Sequence, residues 1–298
     1  LQPCDDPALA CISLPDLARS PVRMAFGTIF TEPGCEGPWC YGDAAEAAFA
    51  GHRQLEIYER LESVGAVTIL RDGAEIPPPE RPLGLILLME GADPIRGPED
   101  VSWWRMRGLR LVGLTWSSGT RYAGGNASGE GMTAEGRDLV SALDASGIMH
   151  DASHLSDAAF DDLLACTDTR IVATHSNSRT VLRVDDQRNL RDDHAKEIIR
   201  RGGVIGLNLY AGFLSTDHEV SIDDCLRHIM HFCDLAGNAR HVALGSDFDG
   251  GFTPEYLPRE LNHPRKLTDL LHALASAGFD ERDLAGFTHA NWQRALAS

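Results

Sequence analysis

Length, composition and charge limit what this chain can be. With 298 residues, 43% of them hydrophobic, it can bury one large core, and a single domain over residues 1–298 is expected. The formal net charge of −17 repels nucleic acid and anionic membrane surfaces, so neither is expected as a partner. No apolar stretch reaches the roughly 20 residues that a transmembrane helix needs.

Apolar runs along the chain predict buried parallel strands. These runs are rich in aliphatic and β-branched residues, which is typical of strands that are covered on both faces. Seven core strands are expected, at residues 23–30, 83–90, 109–116, 148–153, 170–175, 203–210 and 241–247. A shorter run at 66–70 continues into Arg-Asp-Gly and three prolines, which predicts a hairpin in a loop.

Amphipathic segments between these runs predict helices at 44–63, 133–146, 157–166, 192–201, 222–236, 265–277 and 280–296. Ser156 and Ser221 are favourable N-caps, and Gly147, Gly202 and Gly237 are favourable stops. The alternation predicts an α/β fold, a (β/α)8 TIM-type barrel. Because four prolines break residues 1–21, the first strand of that barrel is expected to be missing from this sequence.

Metal-binding residue types stand where predicted strands end. His154 and His175 are 21 positions apart, one strand-helix-strand step, and would lie side by side at the ends of adjacent strands. Glu90 ends the run LGLILLME, where a carboxylate is costly without a partner or a cation. Such a group of ligands suits zinc. Alternatively, each histidine caps its strand by a hydrogen bond to a loop, and Glu90 forms a salt bridge or caps a helix.

The last predicted strand ends in the segment GSDFDG. Asp247 and Asp249 flank Phe248, and in an extended strand their side chains would point in opposite directions. Only one of these two carboxylates is therefore expected to face the axis of the barrel.

The cysteines bear on the compartment. Seven cysteines without paired CxxC spacing argue against a disulfide framework or a structural zinc cluster. Cys35 and Cys40 flank a Gly/Pro loop and could form a disulfide in an oxidising compartment. A cytoplasmic location is expected, and export stays open because the chain begins with Leu1 and a leading segment could precede it.

Six segments carry a family resemblance: MEG at 89–91, DASHLSD at 151–157, THSNSR at 174–179, QRNLRDD at 187–193, GGVIGLNLY at 202–210 and GSDFDGG at 245–251. In order and approximate spacing they resemble the membrane (renal) dipeptidase family of metallopeptidases, which are amidohydrolase-like barrels. The resemblance covers nearly the whole chain. The segments are specific in combination, although single ones are weak.

The resemblance implies a role for five residues. Glu90 would bridge two zinc ions, and His154 and His175 would hold the second zinc. Asp247 would contact the substrate and take the proton from the water between the metal ions. Arg188 would pair with the terminal carboxylate of the substrate, which suits its planar guanidinium. From the residues alone, Arg188 would instead be a surface arginine in a polar loop.

Two departures from the family pattern qualify this picture. The family carries a His-x-Asp pair on its first strand as ligands of the first zinc, and no such pair precedes residue 23. Two zinc ions per chain are therefore expected only if that pair lies upstream of Leu1. In LTWSSGT, Trp116 stands where better-known members have a histidine that polarises the scissile carbonyl, and an indole cannot become a cation. Trp116 is expected to contact the substrate.

The expected function is a zinc-dependent dipeptidase. It would hydrolyse small dipeptides, including ones with a C-terminal D-residue, through water activated between the two metal ions. Trp116 motivates an alternative, a related amidohydrolase of N-acyl amino acids or other small amides. A third possibility is a non-catalytic barrel that binds a small carboxylated ligand. The partner is a small dipeptide-like molecule, and a homodimer stays open.

Overall fold

The computed structural model describes residues 10–73, 75–216 and 219–297. Its strands are β1 (Met24–Phe30), β2 (Glu32–Pro33), β3 (Cys40–Tyr41), β4 (Val67–Ile69), β5 (Leu83–Glu90), β6 (Leu109–Gly113), β7 (Met149–Asp151), β8 (Ile171–Val172), β9 (Ile205–Leu207) and β10 (Val242–Leu244). Its α-helices are α1 (Leu14–Ala18), α2 (Ala44–Ser63), α3 (Val101–Met106), α4 (Ala134–Ala145), α5 (Asp157–Cys166), α6 (Arg179–Leu182), α7 (Asp192–Arg200), α8 (Ile222–Ala236), α9 (Leu267–Ser276), α10 (Glu281–Ala285) and α11 (Asn291–Leu296).

The core strands form a parallel series. One sheet has the order β1-β5-β6-β7-β8, and β9 pairs with β10 in a second sheet. A parallel bridge between Ala173 and Ile205 joins the two sheets, so the series runs from β1 to β10. Within the described residues β1 and β10 are not paired with each other, and the pairing therefore does not show the closed eight-stranded barrel. The α/β fold with parallel strands is confirmed.

All seven predicted core strands are present, most of them shorter than predicted. The prediction of a hairpin at 66–70 is wrong. Val67 to Ile69 instead form β4, which pairs in parallel with Leu83 to Leu85 of β5. Val67 and Ile69 are buried and Thr68 is exposed, so the short run has the period-two pattern of a strand with one covered face.

The C-terminal helix lies against both edges of the series. The indole Nε1 of Trp292 in α11 donates a hydrogen bond of 2.9 Å to the carbonyl of Leu244 in β10. Its ring also packs edge-to-face on Phe26 of β1, with 5.0 Å between ring centroids. Trp292 therefore covers apolar surface near β1 while satisfying a backbone acceptor of the edge strand β10.

Capping side chains begin the helices as predicted. The Ser156 hydroxyl accepts a hydrogen bond of 3.0 Å from the Ala159 amide, and Ser221 forms a capping box with Asp224. The helix predicted over 280–296 is divided into α10 and α11 by a π-helical turn, Gly286–Ala290. Sequence periodicity did not reveal this turn.

Cys35 and Cys40 are joined by a disulfide, in the loop that follows β1. The short strands β2 and β3 flank the bridge, and the Tyr41 hydroxyl donates a hydrogen bond to the buried carboxylate of Asp93. This loop is thereby anchored to the segment that follows Glu90. Across the described residues, no helix combines the length and the apolar character that crossing a bilayer requires.

Candidate metal and substrate site

The carboxyl ends of the parallel strands bring the predicted site residues together. Glu90 is the last residue of β5, and His154, His175 and Asp247 each follow a strand by three positions. His154 and Asp247 have φ angles of +68° and +59°, a left-handed conformation that non-glycine residues adopt at a cost of about 1–3 kcal/mol. Such strain concentrates at functional sites, where the surrounding structure holds it in place.

Glu90, His154 and His175 form a compact cluster. The Nε2 atom of His154 lies 2.9 Å from Oε1 of Glu90 and 3.1 Å from Nε2 of His175. The Nε2 atom of His175 lies 3.7 Å from the same glutamate oxygen. Both histidines are buried. In the described part of the chain, this is the one group of three such side chains close enough to share a metal ion.

The contacts of the Nδ1 atoms favour one tautomer of each imidazole. The Nδ1 atom of His154 lies 3.1 Å from the side-chain oxygen of Asn126, which can only accept, so this contact favours the tautomer with the proton on Nδ1. The Nδ1 atom of His175 lies 2.8 Å from the Thr174 hydroxyl, whose own proton goes to Asp151. Each histidine therefore presents the lone pair of Nε2 to the cluster.

Neutral imidazoles are also what the surroundings favour. Burial, together with the positive charge of Arg188, holds the pKa of His154 and of His175 well below the usual 6.5. In the neutral tautomers with the proton on Nδ1, His154, His175 and Glu90 direct three electron-pair donors at one another. A cation between the three atoms would bind to all of them.

The dimensions of the cluster fit zinc. With zinc–ligand bonds of about 2.0–2.1 Å, two ligand atoms of a tetrahedral site are about 3.3 Å apart. The three separations in the cluster, 2.9, 3.1 and 3.7 Å, scatter around that value. Two imidazoles and one carboxylate are also a ligand set that zinc accepts, so these residues fit the metal that the sequence predicts.

Arg188 is buried, so its placement at the surface from residue type alone is wrong. It is 4% exposed, and burial lowers the pKa of its guanidinium. Nη1 donates a hydrogen bond of 3.1 Å to the Ser176 hydroxyl, and the guanidinium carbon lies 5.0 Å from the ring centroid of Phe213. Nε and Nη2 are buried and have no hydrogen-bond partner among the described residues. Two adjacent donors of a charged group are thus left for an acceptor that the described part of the chain does not supply.

Asp247 points toward the same region. Its Oδ2 accepts a hydrogen bond of 2.9 Å from the Asn208 side-chain amide, which is oriented because its oxygen accepts from the Tyr210 amide at 2.7 Å. Burial and the negative charge of Glu90 raise the pKa of Asp247 to about 7. A carboxyl group with this pKa can exchange a proton near neutral pH, as a general base or acid does.

The two aspartates of GSDFDG do separate, as predicted, although β10 ends before them. Asp249 also has a positive φ, +68°, and its Oδ1 accepts hydrogen bonds from the amides of Cys11 and Ile12. Asp249 therefore holds the segment before α1, while Asp247 is bonded to Asn208 at the strand ends.

Trp116 lies beside the cluster. Its ring centroid is 5.8 Å from that of His154, and it packs edge-to-face on Phe30 at 5.3 Å. Phe30 is the last residue of β1 and pairs with Glu90 in register. Trp116 and Phe30 thus place apolar surface next to the candidate ligands.

Sequence reasoning missed four neighbours of the site: Asn126, Ser176, Asn208 and Phe213. Asn208 follows β9 directly, but it lies inside the apolar run at 203–210, so the rule that found Glu90, a polar residue at the end of such a run, does not find it. Asn126 lies in a Gly/Ser-rich loop without any such signal. Ser176 and Phe213 are recognised only through their contacts with Arg188.

Comparisons with known proteins agree with this geometry. The family model described as membrane dipeptidase (peptidase family M19) matches residues 7–298. An uncharacterised protein in the pqqA 5′ region of Klebsiella pneumoniae is 32% identical over 261 residues, which cover 82% of this chain and 94% of that protein. An uncharacterised dipeptidase of Schizosaccharomyces pombe is 31% identical over 168 residues, 56% of this chain, and the match spans 40% of that relative.

A solved structure shares the fold. It is a metallopeptidase from Rhodobacter sphaeroides with a bound phosphinate mimic of the dipeptide L-Ala-D-Ala. The TM-score is 0.84 at 28% sequence identity, and the match covers 96% of this chain and 90% of that one.

Proposed function

The chain belongs to the membrane dipeptidase family, peptidase family M19, and we propose that it hydrolyses small dipeptides as one metallo-hydrolase domain over residues 1–298. The observation that carries the proposal is the guanidinium of Arg188. It is buried and has two unpaired donors, and its charge acts on His154 and His175 of the cluster. A free carboxylate is the acceptor that satisfies two such donors at once.

The proposed metal is zinc, held by Glu90, His154 and His175. When bound, zinc supplies positive charge that polarises a carbonyl group and lowers the pKa of a water molecule. The second oxygen of Glu90 would serve a second zinc, as the family resemblance implies. That second ion would need ligands beyond this cluster.

The protein side chains then divide the remaining work. Arg188 binds the terminal carboxylate of the dipeptide and so fixes the position of the peptide bond relative to the cluster. Asp247 accepts a proton from the attacking water and returns one to the leaving amine. Asn208 orients Asp247 by its hydrogen bond, and the raised pKa of Asp247 suits both transfers.

Stereochemistry at the C-terminal residue is the finer part of the proposal. The R. sphaeroides relative binds a mimic of L-Ala-D-Ala. We infer that this chain also accepts a D-residue there, because the proposed anchor, Arg188, contacts the carboxylate and not the side chain. Rates for L-Ala-L-Ala and L-Ala-D-Ala test this directly.

Trp116 favours a second candidate, hydrolysis of N-acyl amino acids. Such substrates keep the carboxylate for Arg188 but replace the charged amino end by an apolar acyl group. The Trp116 and Phe30 rings beside His154 would contact that group. Comparing dipeptides with N-acetyl amino acids separates the candidates, and cleavage of the acylated compounds alone would contradict the dipeptidase proposal.

The decisive experiment combines metal content with turnover. Protein purified without chelator is analysed for zinc and assayed with L-Ala-L-Ala and L-Ala-D-Ala, beside Glu90→Gln and the exposed control Glu99→Gln. We expect at least one zinc per chain and hydrolysis in the wild type and in Glu99→Gln, and loss of both in Glu90→Gln. A zinc-loaded wild type that cleaves no dipeptide would sink the proposal and favour a barrel that only binds a carboxylated ligand.

Compartment and assembly remain predictions. The Cys35–Cys40 disulfide favours export over a cytoplasmic location, because such bonds persist in oxidising surroundings and are rare in the cytoplasm. Mass analysis after alkylation, on protein isolated from its own cells, would detect the bond. Light scattering of the purified protein would check the homodimer.

A further inference from the structure

Arg179 connects the loop that follows His154, a candidate metal ligand, to the segment that carries Arg188. Its Nη1 and Nη2 atoms donate two parallel hydrogen bonds of 2.8 Å to the carboxylate of Asp157, the first residue of α5. Asp157 lies three positions after His154. Two-point pairs of this kind fix both distance and orientation. The side chains of Arg179 and Asp157 are 13% and 25% exposed, so water screens the pair only partly.

The same guanidinium also holds the residue after Arg188. Nε and Nη2 of Arg179 donate to the carbonyl of Asn189, at 3.1 and 3.0 Å. On the other side of Arg188, the side-chain oxygen of Gln187 accepts a hydrogen bond of 2.9 Å from the Asp157 amide. Both sequence neighbours of Arg188 are therefore tied to the Asp157–Arg179 pair.

Further hydrogen bonds hold the segment around Arg188 against the chain that follows His175. The Asn177 amide donates to the side-chain oxygen of Asn189 at 3.2 Å, and the Leu190 amide donates to the Asn177 carbonyl at 2.9 Å. The Arg188 segment thus runs alongside the chain that follows His175. Arg179 and Gln187 are two side chains that join it, in addition, to the loop of His154.

We propose that Arg179 is a positioning residue that sets the distance between the Glu90, His154 and His175 cluster and the Arg188 guanidinium. This rests on the proposed function. In a dipeptide the terminal carboxylate is one residue from the bond to be cleaved, so that distance decides whether both ends of the substrate are held at once. A displacement of about 1 Å between two such anchors can cost about 10²-fold in rate.

The test uses a ratio that a merely structural role would not move. kcat/KM is measured for L-Ala-L-Ala and for its C-terminal amide, which lacks the carboxylate, on the same preparation of each variant. Misfolded protein lowers both values equally and leaves their ratio unchanged. Arg179→Lys keeps the charge but loses the two-point pair, and Asp157→Asn keeps the shape but loses the charge.

Arg191→Gln is the matched control. Arg191 also reaches Asp157, at 3.4 Å, and its main partner is Asp193, but its side chain has no hydrogen bond to residues 187–189. The Arg191→Gln substitution therefore removes an arginine from the Asp157 carboxylate but keeps the hydrogen bonds that hold residues 187–189.

In Arg179→Lys we expect kcat/KM for the dipeptide to fall about 10- to 100-fold, mainly through a higher KM, while the value for the amide changes less than about threefold. Asp157→Asn should lower the ratio in the same direction, and Arg191→Gln should leave it within about twofold of the wild type. Zinc content should equal that of the wild type in all three.

The outcomes separate this inference from the proposed function. A wild type that does not hydrolyse the dipeptide, or does not prefer it to the amide, overturns the proposed function and the positioning role with it. A wild type that prefers the dipeptide, with an unchanged ratio in Arg179→Lys and Asp157→Asn, overturns the positioning role alone. An equal fall in Arg191→Gln also overturns it, because the effect would then belong to the whole charge network.

Discussion

Two buried arginines at opposite ends of the core strands have opposite surroundings. Arg110, near the start of β6, is 7% exposed and donates to the carbonyls of Arg71, Gly73 and Leu296 at 3.2, 3.1 and 2.8 Å. Arg188, at the carboxyl ends of the strands, is 4% exposed and has one hydroxyl as its acceptor. Burial lowers the pKa of both guanidinium groups.

The difference separates a structural group from one held for a ligand. Arg110 satisfies three backbone acceptors and links β6 to α11. These hydrogen bonds offset part of the free energy needed to bury its charge. Arg188 has two donors without a partner in residues 10–73, 75–216 and 219–297, and burying such donors destabilises the fold. Of these two arginines, we therefore assign Arg188 to function and Arg110 to stability.

Arg188→Met should produce the largest effect, on activity. The substitution keeps much of the side-chain length and removes the charge, so the carboxylate of a dipeptide loses its anchor. We expect kcat/KM to fall about 10²- to 10³-fold, because loss of a buried charged partner costs about 3–4 kcal/mol. The free energy of unfolding should stay the same or rise, since two buried donors without hydrogen-bond partners disappear. Steady-state kinetics and urea unfolding measure the two effects.

Arg110→Met, the same substitution at the other arginine, should have the reverse pattern. Three carbonyls lose their donor, and we expect the free energy of unfolding to fall by about 3 kcal/mol. kcat/KM per folded molecule should be unchanged. If Arg110→Met instead lowered kcat/KM while Arg188→Met lowered only stability, the distinction between the two ends would be wrong.

The contrast between the two arginines also shows which features of the fold and of the site the sequence predicts. An apolar run that ends on Glu90 or just before His175 predicts a strand, and the polar residue at its end predicts a side chain at the carboxyl edge of the sheet. Both features are local, because the run and the polar residue are consecutive in the sequence. The environment of Arg188 follows instead from contacts with Ser176 and Phe213, which are distant in sequence and arranged by loops. Residue type alone therefore placed Arg188 at the surface, and only the family resemblance gave it a role.

Local signals failed in two further places. The residues of β4 are a short alternating run followed by turn residues, which a hairpin also shows, and only pairing with β5 distinguishes the two. The Nδ1 partner of His154, Asn126, comes from a loop between β6 and α4 without any periodic pattern. Both depend on long-range packing, which propensity and spacing do not encode.

Two buried histidines extend the comparison to acid stability. His228 of α8 has both ring nitrogens satisfied: Nδ1 accepts from the Ser178 amide at 3.1 Å, and Nε2 donates to the Leu214 carbonyl at 3.0 Å. Burial lowers its pKa to about 4. His154, in contrast, directs Nε2 into the Glu90 cluster. His228 should thus act on stability and His154 on metal binding.

As pH falls from 6.5 toward 4, the unfolded chain takes up a proton at His228 and the folded chain does not. We expect this to remove about 3 kcal/mol from the free energy of unfolding across that window. Urea unfolding at several pH values, compared with His228→Gln, isolates the contribution. His231→Gln on the same helix is the control, since His231 lies partly exposed beside Asp192. An unchanged slope in His228→Gln would contradict the assignment.

The smallest expected effect concerns the histidine partners. Asn126 accepts from Nδ1 of His154 and so keeps the Nε2 lone pair directed at the cluster, whereas His175 is held by Thr174 and Asp151. Asn126→Ala should weaken zinc binding about tenfold, since loss of a partner behind a ligand typically costs 10–100-fold in affinity. Competition with a chromophoric chelator measures this, and Asn238→Ala, at the exposed end of α8, is the control. Unchanged affinity in Asn126→Ala would mean that His154 needs no partner to present Nε2, and that satisfaction of the Nδ1 atom belongs to stability, as it does in His228.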